Sequence, residues 1–496
     1  MSENLTQLKT RMALISRLGQ TSALLDWDQQ TYMPKGGAES RSEHSAAMRQ
    51  ITHEMFTSQE TGSLLSKSEE DLKGQDPDSD DIRMLSVLRH DFDRETKLPA
   101  ELVSEIARHT SLSQEIWIRA RKANDFASFA PALEKMIDLS LQQAEYLGYE
   151  DHVYDALLDA YETGAKQRDI AAMFTDMKPH LVELTRAIAN SSNPVDDSPI
   201  RGHFPVEKQK ELTLQIVSAI GYDTDRGRQD EAAHPFCTNF SRDDVRITTR
   251  YNTEFLNQAV YASMHEAGHA MYEQGSPAVY EATSLSGVVS LGVHESQSRL
   301  WENQVGRSRA FSKFVLPKLK NAFPAAMSAV DSESYYRAVN MVSPSLIRVE
   351  ADEVTYNLHI LMRFELECDL LKKTLAVKDL PEAWNEKMHE YLGIRPENDS
   401  EGVLQDIHWS CGLVAYFPTY SIGNLLSAQL WNSAAQAIPD IDEKIERGEF
   451  APLLGWLREN VHKYGRKFLP HELIKKATGE PLTSKYYVDY LNGGEP

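Results

Sequence analysis

The sequence predicts a mainly α protein on three observations: apolar residues recur at helical spacing along most of the chain, the breaks between those runs are short and polar, and only one stretch alternates as a strand does. The first helical face is made by Leu5, Leu8, Met12 and Ile15, at spacings of 3, 4 and 3. Similar patterns fill 38–60, 81–95, 99–122, 127–147, 167–190 and 205–220. Two polar stretches rich in Ser, Asp, Pro and Gly interrupt them, 66–82 (KSEEDLKGQDPDSDDIR) and 191–204 (SSNPVDDSPIRGHF), and each reads as a loop or hinge. Residues 236–250, FCTNFSRDDVRITTR, alternate around an Arg-Asp-Asp turn, which predicts a small β-hairpin. Further on, Val354, Leu358, Leu361, Phe364, Cys368 and Leu371 keep one face over several turns, so Cys368 reads as a small buried apolar residue. Helical patterns return over 410–437 and 449–464.

Composition narrows the function classes. With 496 residues, 41% apolar and 25% charged, the chain can bury a large core, and 25 Gly and 21 Pro are too few for a collagen-like or wholly disordered protein. The 74 acidic residues outnumber the 52 Lys and Arg to leave a charge of −22, which gives no electrostatic basis for generic nucleic-acid or membrane binding. Three cysteines, Cys237, Cys368 and Cys411, form no CxxC pair and no disulfide framework, so a reducing compartment is favoured. The opening MSENLTQLKTRMALISRLGQ has no apolar core with a cleavage site, and nowhere do 18 apolar residues run together. A cytoplasmic protein is expected.

The strongest chemical signal is His265-Glu266-Ala267-Gly268-His269, an HExxH. Val260, Met264, Ala267 and Met271 form an apolar stripe through it, and Gly275-Ser276-Pro277 supplies a stop, so the motif lies on a helix. The i, i+4 spacing then turns both imidazoles to one side, close enough to chelate one Zn²⁺, while Glu266 stands one step round to hold a water. Zinc hydrolases need a third protein ligand and an open position. Glu295, 26 positions beyond His269 in a segment that resumes helical character, is the expected third ligand. Glu302 is the back-up and Glu281 is too close along the chain, while His294 is expected to pack beside the site rather than ligate. A His₂Glu set suits hydrolytic Lewis-acid chemistry better than electron transfer.

The sequence also resembles the carboxypeptidase Taq family of metallocarboxypeptidases, within the gluzincin group that combines HExxH with a downstream glutamate. The resemblance is carried by Asp26-Trp-Asp-Gln-Gln-Thr-Tyr-Met-Pro34, Gly36-Gly-Ala-Glu-Ser-Arg41, His234-Pro-Phe236, Asp244-Val-Arg-Ile-Thr248, the HExxH, His294-Glu-Ser-Gln-Ser298, Ile347-Arg-Val-Glu-Ala-Asp352 and Gly402-Val-Leu-Gln-Asp-Ile-His-Trp409. It implies a neurolysin-like, saddle- or clamshell-shaped helical body with a deep groove. It also implies a homodimer and the release of C-terminal residues from peptides with broad preference. The whole chain, 1–496, is then one helical unit, divisible into two subdomains flanking the groove, with the zinc-site segment at 234–302.

On this reading one Zn²⁺ per chain, replaceable by Co²⁺, sits on His265, His269 and Glu295, and Glu266 serves as general base and then general acid. His408 and Tyr420 are candidate oxyanion donors, with Tyr416 a close rival; the plainer alternative is aromatic core with one satisfied polar tip. Arg348 is preferred over Arg246 as the anchor for a substrate α-carboxylate, and His234 is a further candidate contact. Structural ion pairs, Arg348 with Asp352 or Arg246 with Asp244, are the competing reading. Two other functions compete: a zinc oligopeptidase cutting internally, and a non-catalytic helical binding protein stabilised by zinc.

Overall fold

The computed structural model describes residues 2–192 and 195–493. Asn193 and Pro194, within the expected 191–204 loop, lie outside the described residues.

Four helices open the chain: α1 (Glu3–Thr31), α2 (Ala38–Thr57), α3 (Gln59–Asp71) and α4 (Asp80–Lys97). The Ser2 side chain caps α1 by accepting from the Leu5 amide. The run at 38–60 is two helices, because Ser58 takes an extended backbone and caps α3 by accepting from Thr61 N. The expected loop at 66–82 shrinks to 72–79. Its ends stay helical because Leu65, Ser68 and Leu72 all point inward while the charges between them face water. Leu5, Leu8, Leu65, Met84, Leu85 and Leu88 pack into a small core with Tyr280 and Leu285.

Five helices follow: α5 (Ala100–Ala123), α6 (Phe126–Leu147), α7 (Val153–Leu158), α8 (Gln167–Ala189) and α9 (Val206–Ile220). The expected hairpin forms as β2 (Cys237–Ser241) and β3 (Asp244–Thr249), joined antiparallel with Thr238 opposite Arg246. A third strand, β1 (Gln229–Glu231), pairs parallel to β3 to give the order β1-β3-β2. Its three residues, Gln-Asp-Glu, carry no alternation that could announce a strand.

The second half holds α10 (Asn257–Gln274), α11 (Leu291–Arg299), α12 (Arg309–Ala322), α13 (Pro324–Met327), α14 (Ser332–Val339), α15 (Glu353–Leu371), α16 (Leu380–Leu392) and α17 (Pro418–Ala437). Four short helices, Ile441–Glu446, Ala451–Asn460, Pro470–Thr478 and Lys485–Leu491, close the chain. The helix expected from 410 starts only at Pro418, because Gly412 and Ala415 adopt positive φ and Pro418 cannot continue a preceding helix. One face of α17 (Ile422, Leu425, Ala428) joins a core with α5–α8, α15 and α16, and another (Leu426, Leu430, Ala434) joins a core with α9–α12. Cys368 is buried, all three cysteines are free, and no described helix is long and apolar enough to cross a membrane.

Polar contacts tie the N-terminal helices to this body. His90 Nε2, on α4, lies 2.7 Å from Asp159 at the end of α7, Arg94 donates to the same carboxylate at 2.8 Å, and Arg466 grips Asp91 with two hydrogen bonds. The hydrogen bond to Asp159, with help from Asp91, holds the His90 imidazolium up to about 9. Burial pushes the Asp159 carboxyl up, but His90 and the Gly164 amide outweigh it and hold it at about 2. The contribution of this contact to stability is therefore full below the ordinary histidine value of 6.5 and is lost as pH rises through about 9. The melting temperature of wild type should exceed that of His90→Ala most near pH 6, the gap closing by about pH 9; a gap constant across that range contradicts the assignment.

Candidate metal centre

α10 carries the HExxH. Its apolar stripe, Val260, Met264, Ala267 and Met271, is buried in the core, which leaves His265 and His269 on the opposite flank facing α11. The two helices meet closely: a Cβ on Gly268 would lie 2.6 Å from the Gln297 carbonyl oxygen, so the Gly of this HExxH is what allows the approach. α11 starts where Ser290 caps it, and the buried Glu162 carboxyl accepts from Gly292 N. Burial raises that acid to about 8, against hydrogen bonds from Ser290 and Gly292. From the other side α17 presses Gly423 against Glu295, where a Cβ would stand 2.4 Å from Cγ.

After Arg299 the helix widens into a π turn, Leu300–Val305, of the kind that often marks functional sites. It brings Glu302 and Arg307, five residues apart, to the same side, with Arg307 Nη2 3.4 Å from Glu302 Oε1.

These elements bring together His265, His269 and Glu295, whose ligand atoms all lie within 4.8 Å of one another. Glu295 Oε2 is 3.5 Å from His265 Nε2 and 3.3 Å from His269 Nε2. The far nitrogen of His265, Nδ1, donates to Glu302 Oε2 at 2.8 Å. Glu302 therefore orients the imidazole from behind and is not a back-up ligand, which corrects the sequence expectation. Glu281 is turned away, accepting from Gln20 and from the Arg242 amide. His294 stacks on His269 with ring centroids 4.2 Å apart, and its Nε2 lies 3.3 Å from Glu273, which also accepts from Asn239 on β2.

Two imidazole nitrogens and one carboxylate oxygen converging without a fourth protein donor, among the described residues, fit a divalent cation with an open position. Burial opposes the charge on His265, but Glu295, Glu302 and Glu266 hold it up to about 9, so a cation binding there must displace that proton. Burial and the neighbouring His294 push His269 down to about 3, the neutral form a ligand needs. Burial opposes the Glu295 charge, but Arg299, His265 and His269 hold its carboxyl well below the usual range. Glu266, only 6% exposed, is pushed up to about 7 by burial, with His265 opposing and the charges of Glu295 and Glu302 adding.

A second cluster comes from the irregular loop before α17. His408 Nε2 is 3.2 Å from the Tyr420 hydroxyl, and Tyr416 packs edge-on against Tyr420 at 5.4 Å and Tyr161 at 5.1 Å. Burial keeps both tyrosine hydroxyls protonated, with the charge of Glu295 reinforcing it, and burial pushes His408 down to about 4.

Arg348, 5% exposed, lies in a 3₁₀ turn ahead of α15 rather than on that helix. The alternative pair with Asp352 does not form, because Asp352 caps α15 by accepting from the Val354 and Thr355 amides. Instead Arg348 Nε and Nη2 both donate to Asp406 Oδ1, at 3.0 and 2.9 Å, and Nη1 donates to the Tyr356 hydroxyl at 3.0 Å. The second oxygen of Asp406 takes Arg363 Nε at 2.6 Å. Arg246 pairs with Asp244 through two hydrogen bonds and lies over Trp27 at 4.3 Å and Phe240 at 4.8 Å, so the ion-pair alternative describes its contacts here. His234 is exposed on the β1–β2 connection, makes no side-chain hydrogen bond and is not brought to either cluster.

The sequence reading missed Arg299, which donates from Nε to Glu295 Oε1 at 2.7 Å and from Nη1 to Glu302 Oε2 at 3.2 Å. Its i, i+4 relation to Glu295 and its i, i+3 relation to Glu302 are both visible in the sequence, and together they are the signal that points to it. Asp406 was missed because its partners lie 58 and 43 positions away.

Comparison with known proteins gives one consistent result. The profile of the family described as Carboxypeptidase Taq (M32) metallopeptidase matches residues 7–494. Thermostable carboxypeptidase 1 of Thermus thermophilus is 41% identical, the match covering 99% of this chain and 97% of that protein. Carboxypeptidase 1 of Bacillus subtilis is 38% identical over 96% of this chain and 95% of its own. The crystal structure of the M32 carboxypeptidase from Deinococcus radiodurans R1 superposes with a TM-score of 0.96 at 42% identity, covering 99% of this chain and 98% of that one.

Proposed function

Because the chain belongs to the carboxypeptidase Taq (M32) family and is a metallocarboxypeptidase, we propose that it shortens peptides from the C-terminus with broad preference, using one Zn²⁺ held by His265, His269 and Glu295. The observation that carries the residue assignment is the convergence of those three ligand atoms beside a buried, otherwise unligated Glu266. Zinc fits the donor set, and Co²⁺ is the natural substitute.

A cation so held supplies Lewis-acid chemistry, polarising the scissile carbonyl and making water more acidic. Glu266, buried on the ligand helix beside the converging ligand atoms, takes the proton of the attacking water and hands it to the leaving amine. The Tyr420 hydroxyl, paired with His408, is kept protonated and can donate to the developing oxyanion, with Tyr416 as the alternative donor.

Arg348 is assigned to the substrate α-carboxylate, with Asp406 and Tyr356 fixing its orientation. Arg246 is read as the structural partner of Asp244, and the exposed His234, ahead of the edge strand β2, is assigned only to an outlying part of an extended substrate. The same reading makes the protein a cytoplasmic homodimer formed as one helical unit over 1–496, with two subdomains about a groove.

Mass spectrometry of digested peptides tests the proposal. Ladders shortened one residue at a time are expected, with C-terminally amidated peptides resistant, and Arg348→Ala should narrow the free-acid over amide preference by about tenfold or more, the loss of one charge-assisted pair. Internal fragments as the main products, or an unchanged preference in Arg348→Ala, would contradict it.

A further inference from the structure

The geometry points to Arg299 as a positioning residue of the metal centre. One half-buried guanidinium holds both the carboxylate that completes the ligand set and the carboxylate that orients the first imidazole, and so fixes their spacing. This rests on the reading that His265, His269 and Glu295 hold the cation.

Arg299 Nε occupies Glu295 Oε1 at 2.7 Å, and Ser298 Oγ supports Oε2 at 2.9 Å. Oε2 is also the oxygen that faces the two Nε2 atoms, at 3.5 and 3.3 Å. With Oε1 tied back, Glu295 presents a single oxygen to the centre. Arg299 Nη1 reaches Glu302 Oε2 at 3.2 Å, the same oxygen that receives His265 Nδ1–H. That hydrogen bond sets the tautomer of His265 so that the lone pair of Nε2 points at the centre.

Helical spacing makes the arrangement possible: Glu295 stands four residues before Arg299 and Glu302 three after it, and Arg307 steadies the other Glu302 oxygen at 3.4 Å. The Tyr356 ring lies 4.9 Å from the Arg299 guanidinium and packs against it. Charge explains why an arginine stands here. Glu295 and Glu302 are both largely buried, and without a cation between them their like charges would push apart. A lysine could neutralise one but has no planar fork to span both.

The test measures zinc affinity of the purified full chain by competition with a chromophoric chelator, and the visible spectrum of the Co²⁺-loaded protein. Arg299→Gln should weaken zinc binding about 10–100-fold and alter the Co²⁺ spectrum, as loss of an outer-shell partner does. At saturating zinc, kcat should recover in part with KM near wild type. Glu302→Gln should weaken binding similarly, and the double variant should fall short of the sum of the two effects. Arg299→Lys keeps the charge without the fork, so it must also lose affinity by about tenfold; it carries the comparison should Arg299→Gln fail to fold. Wild-type affinity and spectrum in Arg299→Gln, or in Arg299→Lys, overturns the inference. His269→Ala separates the two readings: if it keeps zinc, the ligand assignment itself fails, whereas if it loses zinc and the Arg299 variants do not, only the positioning role fails.

Discussion

Glu266→Gln should bind metal as wild type does and lose about 10²–10⁴ in kcat, the range a positioned proton-transfer group supplies. The Glu266 side chain is 6% exposed and sits on the ligand helix beside His265. Glutamine keeps its shape and can still hold a water, but it cannot take a proton. Steady-state kinetics alongside metal analysis check the result. Retained turnover would remove Glu266 from the reaction, and loss of metal would make it a structural support instead.

Stripping the metal should abolish hydrolysis without unfolding the chain, and zinc or cobalt should restore it. The helices that carry the site stand on apolar burial around Met264, Ala267, Met271 and Leu426, none of which needs a cation. The acids of the site also have protein partners of their own, Glu295 with Arg299 and Ser298, and Glu302 with His265, Arg299 and Arg307. Far-ultraviolet circular dichroism of the chelated protein should therefore match the loaded form. Its melting temperature should fall, because a ligand that binds only the folded state stabilises it by about 2.7 kcal/mol at 100 times its Kd. Full activity in protein assayed free of metal would defeat the account, and so would collapse of helicity on chelation.

Local chemistry was legible in the sequence and long-range chemistry was not. The stripe Val260, Met264, Ala267 and Met271 announced a buried helix face, and all four side chains are buried. The spacing of His265 and His269 placed them on one flank, and the alternation at 236–250 gave β2 and β3. Glu295 was found from the requirement for a third acid on a following helix. What holds these groups in place was hidden, because it depends on which helices meet: Gly423 against Glu295 and Gly268 against the α11 backbone are contacts between distant segments. The π turn is a departure from 3.6-residue periodicity, so a reading built on that periodicity assigned Glu302 to the ligand face rather than to His265 Nδ1. The partner of Arg348 was hidden in the same way: the competing ion pair named Asp352, close in sequence, while the carboxylate it meets, Asp406, comes from the loop before α17.

Crystals of the zinc-loaded protein measured across the zinc absorption edge test the central assignment most directly. A single anomalous peak per chain is expected about 2.0–2.2 Å from His265 Nε2, His269 Nε2 and an oxygen of Glu295, with Glu266 beside it and uncoordinated. A peak held by other side chains, or none between these three, would contradict it.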